Sequence, residues 1–262
     1  MYYSMNFISF GDWGENTPLK NTLTYIIHKL KPDALITLGD NFYPKGVNSD
    51  TDPLWKYIYK IFFGKFLTFA VLGNHDYMSN PGAQLTYKNS NWVMPRRFYN
   101  RMYKDVHLIA LDTIDLAPQI SSTFIPDFNA QPSNQLLWLE HILKTNTSPW
   151  IIVYGHYPVF SNGAHGDTEE LKQKLLPLFK KYKVHLYLSG HDHSICHKYY
   201  EGTHFVVSGN GSYSGEVKNI PGFTPLKENC GFAYINVNHK QLQFRLCSFK
   251  GDILMTRILK NI

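Results

Sequence analysis

The stretch Gly39-Asp40-Asn41-Phe42-Tyr43 places a carboxylate and a phenol three residues apart, directly after the apolar run Ala34-Leu35-Ile36-Thr37-Leu38. An ionised side chain at the end of a buried strand must be hydrogen-bonded or paired with a cation, because burying it bare costs several kcal/mol or more. Four other stretches share this form: Gly11-Asp12-Trp13-Gly14, Gly73-Asn74-His75-Asp76, Gly155-His156 and Gly190-His191-Asp192-His193, each behind an apolar run of its own. Carboxylate, imidazole and amide oxygen together suit hard to borderline first-row metals. The lack of cysteine beside these tips argues against a structural zinc cage. A lone Asp after a strand is more often a turn or cap residue, and a lone His more often belongs to core or surface. His28, His107, His141, His185, His197, His204 and His239 receive that plain reading. For Asp12, Asp40, Asn74, His156, His191 and His193 the joint pattern reverses it, and they are read as metal ligands.

The ordered motifs GDWG, GDNFYxxGV, GNHD, GHYP and GHDH resemble those of the purple acid phosphatases, in particular the small, single-domain, mammalian-type (tartrate-resistant-like) branch of that dinuclear metallophosphoesterase family. The similarity runs from about residue 7 to about residue 211. GDxG, GDN and GNH[DE] alone would indicate only the wider superfamily, whereas Tyr43 stands where the purple branch has its tyrosine ligand. The resemblance implies that Asp12, Asp40, Tyr43 and His193 hold a ferric ion. It likewise implies that Asp40, Asn74, His156 and His191 hold a divalent ion (iron, zinc or manganese), with Asp40 bridging. It further implies hydrolysis of phosphate monoesters by a hydroxide generated at the metal pair. His75 and His165 match positions assigned to substrate binding and acid catalysis, and Asp76 is a candidate to orient His75. The rival readings are a phosphodiesterase, nucleotidase or phosphoprotein phosphatase with the same metals, a binding protein on a retired scaffold, and an iron redox protein producing reactive oxygen species.

The elements that must carry these tips are legible from periodicity. Residues 7–10 and 34–38 read as buried strands around a helix from Pro18 to Leu30, with Thr17 as N-cap and Pro18 at the first helical position. This βαβ rhythm predicts a parallel sheet with its site outside the carboxyl ends of the strands. A short aromatic helix is expected through residue 63, with Trp55, Tyr59 and Phe63 packing in the core. Strands follow at 66–72, 97–102, 106–111, 150–154 and 184–188, with helices at 133–143 and 167–182. In the first of these helices Leu136, Leu137, Leu139 and Leu143 are expected on the buried side. Five further short strands after residue 195 look antiparallel and are expected to build a second sheet. The fold class is thus α/β (α+β), a four-layer αββα sandwich of two mixed sheets flanked by helices, which is also what the resemblance implies.

At 262 residues the chain suits one large domain, residues 1–262, since no linker or repeat divides it and the tips must converge. A charged fraction of 18% against 44% apolar residues is globular rather than disordered composition. A net charge of +6 suits an anionic substrate. The Lys and Arg residues are scattered, so no nucleic-acid partner is expected. No apolar run reaches the length of a membrane helix. The chain is expected to be a monomer. Met1 to Asn6 lead at once into the first strand and leave no room for a secretory leader. The sequence therefore predicts an intracellular chain unless its N-terminus was trimmed. Three unpaired-looking cysteines agree with a reducing compartment.

Residues 77–91 read as a loop beside the site. Residues 115–133 hold three prolines and little periodicity, which predicts a long functional loop on the rim of the site. It carries Asp115, Asp127, Phe124 and Phe128 but neither Lys nor Arg. It is therefore expected to shape the pocket against bulky or highly charged esters, its two carboxylates repelling polyphosphate, without acting as a tryptic switch.

Overall fold

The computed structural model describes residues 4–126, 128 and 133–261. Strand β1 (Met5–Phe10) leads into helix α1 (Pro18–Leu30), whose N-cap Thr17 accepts a hydrogen bond from the Lys20 amide. Leu23 and Ile27 face the core from that helix. Strands β2 (Ala34–Thr37), β3 (Thr68–Ala70) and β4 (Trp92–Val93) then align parallel to β1. Between them Trp55–Lys60 forms a π-helical turn, in which Trp55 and Tyr59 are buried as expected. The buried Lys20 ammonium donates to the Ile58 carbonyl of that turn at 2.8 Å and lies over the Trp13 and Phe62 rings. Short helix α2 (Asn74–Tyr77) follows β3, and α3 (Gly82–Thr86) occupies part of the 77–91 segment expected as loop.

The second sheet begins with β5 (Tyr99–Tyr103) and continues through β6 (Val106–Ala110), β7 (Trp150–Tyr154) and β8 (Leu186–Ser189). Helices α4 (Thr113–Leu116), α5 (Pro118–Phe124), α6 (Gln135–Lys144) and α7 (Glu169–Tyr182) are interleaved. Strands β9 (Ile195–Tyr200) and β10 (Thr203–Ser208) complete this sheet, while β11 (Gly231–Val237), β12 (Gln241–Ser248) and β13 (Ile253–Lys260) return to the first. The sheet orders are β13-β12-β11-β1-β2-β3-β4 and β5-β6-β7-β8-β10-β9, both mixed.

Side-chain alternation sets the layers. From β6, β7 and β8, residues Leu108, Ala110, Ile152, Tyr154, Leu186 and Leu188 face the core shared with the first sheet. Their neighbours Ile109, Ile151, Val153 and Tyr187 face Leu139, Leu143, Leu171, Leu175 and Phe179 of α6 and α7. A parallel strand buried on both faces has this period of two.

Three expectations are corrected. The late strands do not make a sheet of their own: β11 pairs antiparallel with β1, and β10 pairs parallel with β8. A free edge exposes unpaired N–H and C=O groups, and each existing sheet offered one. Leu137 is 75% exposed, because α6 buries only the stripe through Gln135, Leu139 and Leu143. Residues 115–124 are largely helical, and Asp127 lies outside the described residues. Among the described residues no helix is long and apolar enough to cross a membrane.

Candidate metal centre

The five tips come from both sheets. Asp12, Asp40 and Asn74 follow β1, β2 and β3, whereas His156, His191 and His193 follow β7 and β8, so the site lies where the carboxyl ends of the two sheets meet. Glycines make this approach possible. A side chain at Gly73 would collide with the Asp40 carboxylate, and one at Gly190 with that of Asp12. Asp12, Asp40 and His191 sit at φ 59°, 50° and 68°. Such left-handed backbone costs a non-glycine residue about 1–3 kcal/mol and persists only where surrounding structure enforces it, commonly at functional sites.

Asp40 divides the donors into two groups. The Tyr43 hydroxyl lies 3.1 Å from Asp40 Oδ2, 3.3 Å from Asp12 Oδ1 and 3.3 Å from His193 Nε2. On the other side His156 Nε2 lies 3.5 Å from Asp40 Oδ1 and 2.9 Å from Asn74 Oδ1. The His191 ring centre is 5.1 Å from that of His156. All the sequence-predicted ligands thus fall in one cluster, with one oxygen of Asp40 in each half.

The electrostatics call for cations. His156 Nδ1 donates to the Leu38 carbonyl at 2.7 Å, which fixes the tautomer and turns the Nε2 lone pair towards Asn74 Oδ1 and Asp40 Oδ1. Three acceptors face one another there. His191 Nε2 is buried without a hydrogen-bond partner among the described residues, a state that costs about 1–3 kcal/mol unless something else binds it. Donor atoms of Asp12, Asp40 and His156 lie within 4.8 Å of one another, so the residues present fit a metal site.

These groups perturb one another and are perturbed by burial. Burial pushes the Asp40 carboxyl up, with the Asp12 charge adding to it and His156 and His75 opposing. Burial also raises the Tyr43 phenol far above its ordinary value, helped by the charges of Asp40 and Asp12. Burial and the neighbouring His156 and His165 depress His191. For His193 burial pulls down, but the hydrogen bond and charge of Asp12 outweigh it and leave the imidazole raised.

His75 and His165 flank the cluster. The His75 backbone N–H donates to Asp40 Oδ1 at 3.0 Å, its Nδ1 to the Pro44 carbonyl at 2.6 Å, and its Nε2 stands 3.9 Å from Asp40 Oδ2. His165 is exposed and stacks on His191 at 4.3 Å between ring centres. Asp76 does not orient His75. It is fully buried and instead accepts from the amides of Asn41, Phe42 and Gly73, because the turn of α2 points its carboxylate back under the Asp40 tip.

Thr113 and Tyr213 escaped sequence reasoning, and Phe124 was named there only as part of the 115–133 loop. Thr113 Oγ1 accepts from the His156 and Tyr157 amides at 3.1 and 2.9 Å. Phe124 packs edge-on against His165 and His191 at 5.1 and 4.8 Å, so the segment expected on the rim does reach the site. Tyr213 stacks on His193 at 5.3 Å. Only Phe124, an aromatic in a polar stretch, left a visible signal. Asp115 is no free rim charge: it pairs with Arg97 at 3.3 Å and its side chain is 2% exposed, which corrects its expected role in repelling polyphosphate.

The calcineurin-like phosphoesterase family matches residues 5–194. Tartrate-resistant acid phosphatase type 5 of Oryctolagus cuniculus is 30% identical over 98% of this chain and 92% of its own. Purple acid phosphatase 17 of Arabidopsis thaliana is 34% identical over 83% of this chain and 72% of its own. Among solved structures, purple acid phosphatase PPD1 from yellow lupin seeds superposes with a TM-score of 0.76 at 17% identity, covering 99% of this chain and 54% of that one. GAP50, described as the anchor in the inner membrane complex of Plasmodium, superposes with 0.79 at 24% identity, covering 99% and 89%.

Proposed function

The chain belongs to the calcineurin-like phosphoesterase family, within its purple acid phosphatases, and from that premise we propose that it hydrolyses phosphate monoesters at a dinuclear centre of iron(III) and a divalent ion. The family implies a dinuclear metal centre. The observation that carries the assignment is the division of Asp40, one carboxylate oxygen beside Tyr43 and the other beside His156.

On this reading Asp12, Asp40, Tyr43 and His193 hold the ferric ion, whose demand for anionic oxygen suits two carboxylates and a phenolate. Asp40, Asn74, His156 and His191 would hold the divalent ion, Asp40 being the anionic donor among them, so iron, zinc or manganese would fit. When bound, the pair supplies Lewis-acid charge for the phosphoryl group and water acidic enough to act as nucleophile at low pH.

The protein's own residues do the rest. Asp12 and Asp40 supply the fixed negative charge that holds the cations, and the Leu38 carbonyl keeps His156 in the tautomer whose Nε2 faces them. His165 carries an exposed imidazole above His191 and delivers a proton to the leaving oxygen. His75, whose Nδ1–H is locked to the Pro44 carbonyl, presents Nε2 on the Asp40 side and, with that nitrogen also protonated, donates to a phosphoryl oxygen. Scattered positive charge concentrates the anionic ester. The chain is read as one catalytic domain acting as a monomer.

Metal analysis with a visible spectrum on the purified protein, alongside p-nitrophenyl phosphate hydrolysis at acid pH, tests the proposal. Two metals per chain, at least one of them iron, a visible band and monoesterase activity are expected. A colourless active enzyme with two zinc or two manganese ions would remove the iron assignment. Cleavage of diesters alone would replace the monoesterase one.

A further inference from the structure

His165 sits above the metal cluster with no side-chain hydrogen bond among the described residues, so its position must come from its backbone and from ring packing. The backbone is held by Asp192, the residue between His191 and His193. Asp192 is buried, with 1% exposure, and its Oδ1 accepts from the His165 amide at 2.9 Å. Its Oδ2 accepts from the Ser161 hydroxyl, which in turn accepts from the Gly163 amide at 3.0 Å. The 161–165 turn lies directly on this carboxylate: a Cβ at Gly163 would stand 2.5 Å from Asp192 Cγ. A carboxylate accepting from N–H and O–H groups in a buried setting makes charge-assisted bonds, roughly twice as strong as neutral ones.

We infer that Asp192 is the positioning residue for proton donation. It ties the turn that carries His165 to the turn that carries His191 and His193, so that the imidazole stays stacked over the reacting centre. The inference rests on the reading of His165 as proton donor. Asp192 itself moves no proton. Placement matters because a general acid contributes about 10²–10⁴-fold only within hydrogen-bond reach of the leaving oxygen.

The test compares phenyl phosphate, whose leaving oxygen needs a proton, with 2,4-dinitrophenyl phosphate, whose leaving group does not, using metal-loaded protein. His165→Ala, Asp192→Ala, Asp192→Asn, Gly163→Ala and the double variant Asp192→Ala/His165→Ala are measured. Asp192→Ala is expected to lower kcat on phenyl phosphate by about 10–100-fold, within the range that a general acid contributes, and to leave 2,4-dinitrophenyl phosphate within about threefold. Asp192→Asn, which keeps an acceptor oxygen for the His165 amide, should restore most of the loss. The double variant should be no slower than His165→Ala. Gly163→Ala leaves Asp192 unsubstituted but sets a methyl against its carboxylate, which forces the turn off it and should reproduce the selective defect, so the test stays decisive if Asp192→Ala fails to fold. As a readout independent of turnover, diethyl pyrocarbonate should modify His165 faster in metal-free Asp192→Ala than in the parent.

If His165→Ala slows both esters equally, the reading of His165 as proton donor fails, whatever Asp192 does. If His165→Ala is selective but Asp192→Ala and Gly163→Ala slow both esters equally, or the double variant shows the full product of the two losses, the positioning role is overturned. Loss of bound metal in Asp192→Ala and Gly163→Ala would also overturn it, since the effect would then pass through His191 and His193.

Discussion

Asn41 donates its backbone N–H to both carboxylate oxygens of Asp76, at 3.1 Å each, and its side-chain Nδ2 to Oδ2 at 3.3 Å. The GDN and GNHD tips are thereby joined beneath the candidate metal site, with the Gly73 amide and Gln84 Nε2 closing the network at 2.8 and 2.7 Å. Burial and the Asp40 charge push the Asp76 carboxyl up to about 6, against these donors, which favour its ionised form.

Asp76→Ala should therefore destabilise the protein strongly. It leaves several buried donors unpaired, each costing about 1–3 kcal/mol, and removing one member of a buried charged network typically costs about 3–5 kcal/mol in all. Urea unfolding should show a lower midpoint at unchanged slope. A midpoint equal to that of the parent would mean that the network does not hold the tips.

Asp40 and His156 should differ in what they release. Asp40 offers an oxygen to each half of the cluster, so Asp40→Asn should lower both metal occupancies together and abolish turnover. His156 touches only the half with Asn74, so His156→Ala should leave about one metal per chain, by the expectation that a site stripped of one ligand empties first. Elemental analysis after dialysis distinguishes them, and equal loss in both variants would argue against a shared Asp40.

Tyr43→Phe should bleach the visible band while iron stays bound, since Asp12, Asp40 and His193 remain around the vacated position. An unchanged spectrum would assign the colour to some other group.

Away from the site, His197 Nε2 and His204 Nδ1 are 2.9 Å apart beside Arg257. Burial, then the neighbouring positive charges, lowers His197 to about 3 and His204 to about 4. A histidine whose folded pKa is depressed binds more protons unfolded than folded. Stability is therefore lost as pH falls from about 6.5, the unfolded value, towards the folded values. Tm should drop over that range, and His204→Phe should flatten the drop by removing one proton uptake and relieving the other. An identical Tm profile in the variant would place the acid sensitivity elsewhere.

The sequence alone determined the parts whose causes are local. Thr17-Pro18 starts α1 as read, because a capping hydroxyl and a fixed φ act within one turn. The glycine-flanked tips were legible because a carboxylate or imidazole after a buried strand needs a partner, and five in order leave few alternatives. What the sequence left open is non-local. Whether β11 joins β1 or builds another sheet depends on which edge is free after the other strands have paired. Leu137 is exposed although it has the same side chain as Leu139, since only the packed neighbour decides which stripe of α6 is covered. Asp76 looked like the partner of His75 because they are adjacent in the chain, yet the turn of α2 sends the two side chains apart, one to Asn41 and the other to Pro44. Asp115 and Asp192 are likewise defined by Arg97 and by the His165 amide, partners that only the pairing of β5 with β6 and of β7 with β8 brings within reach.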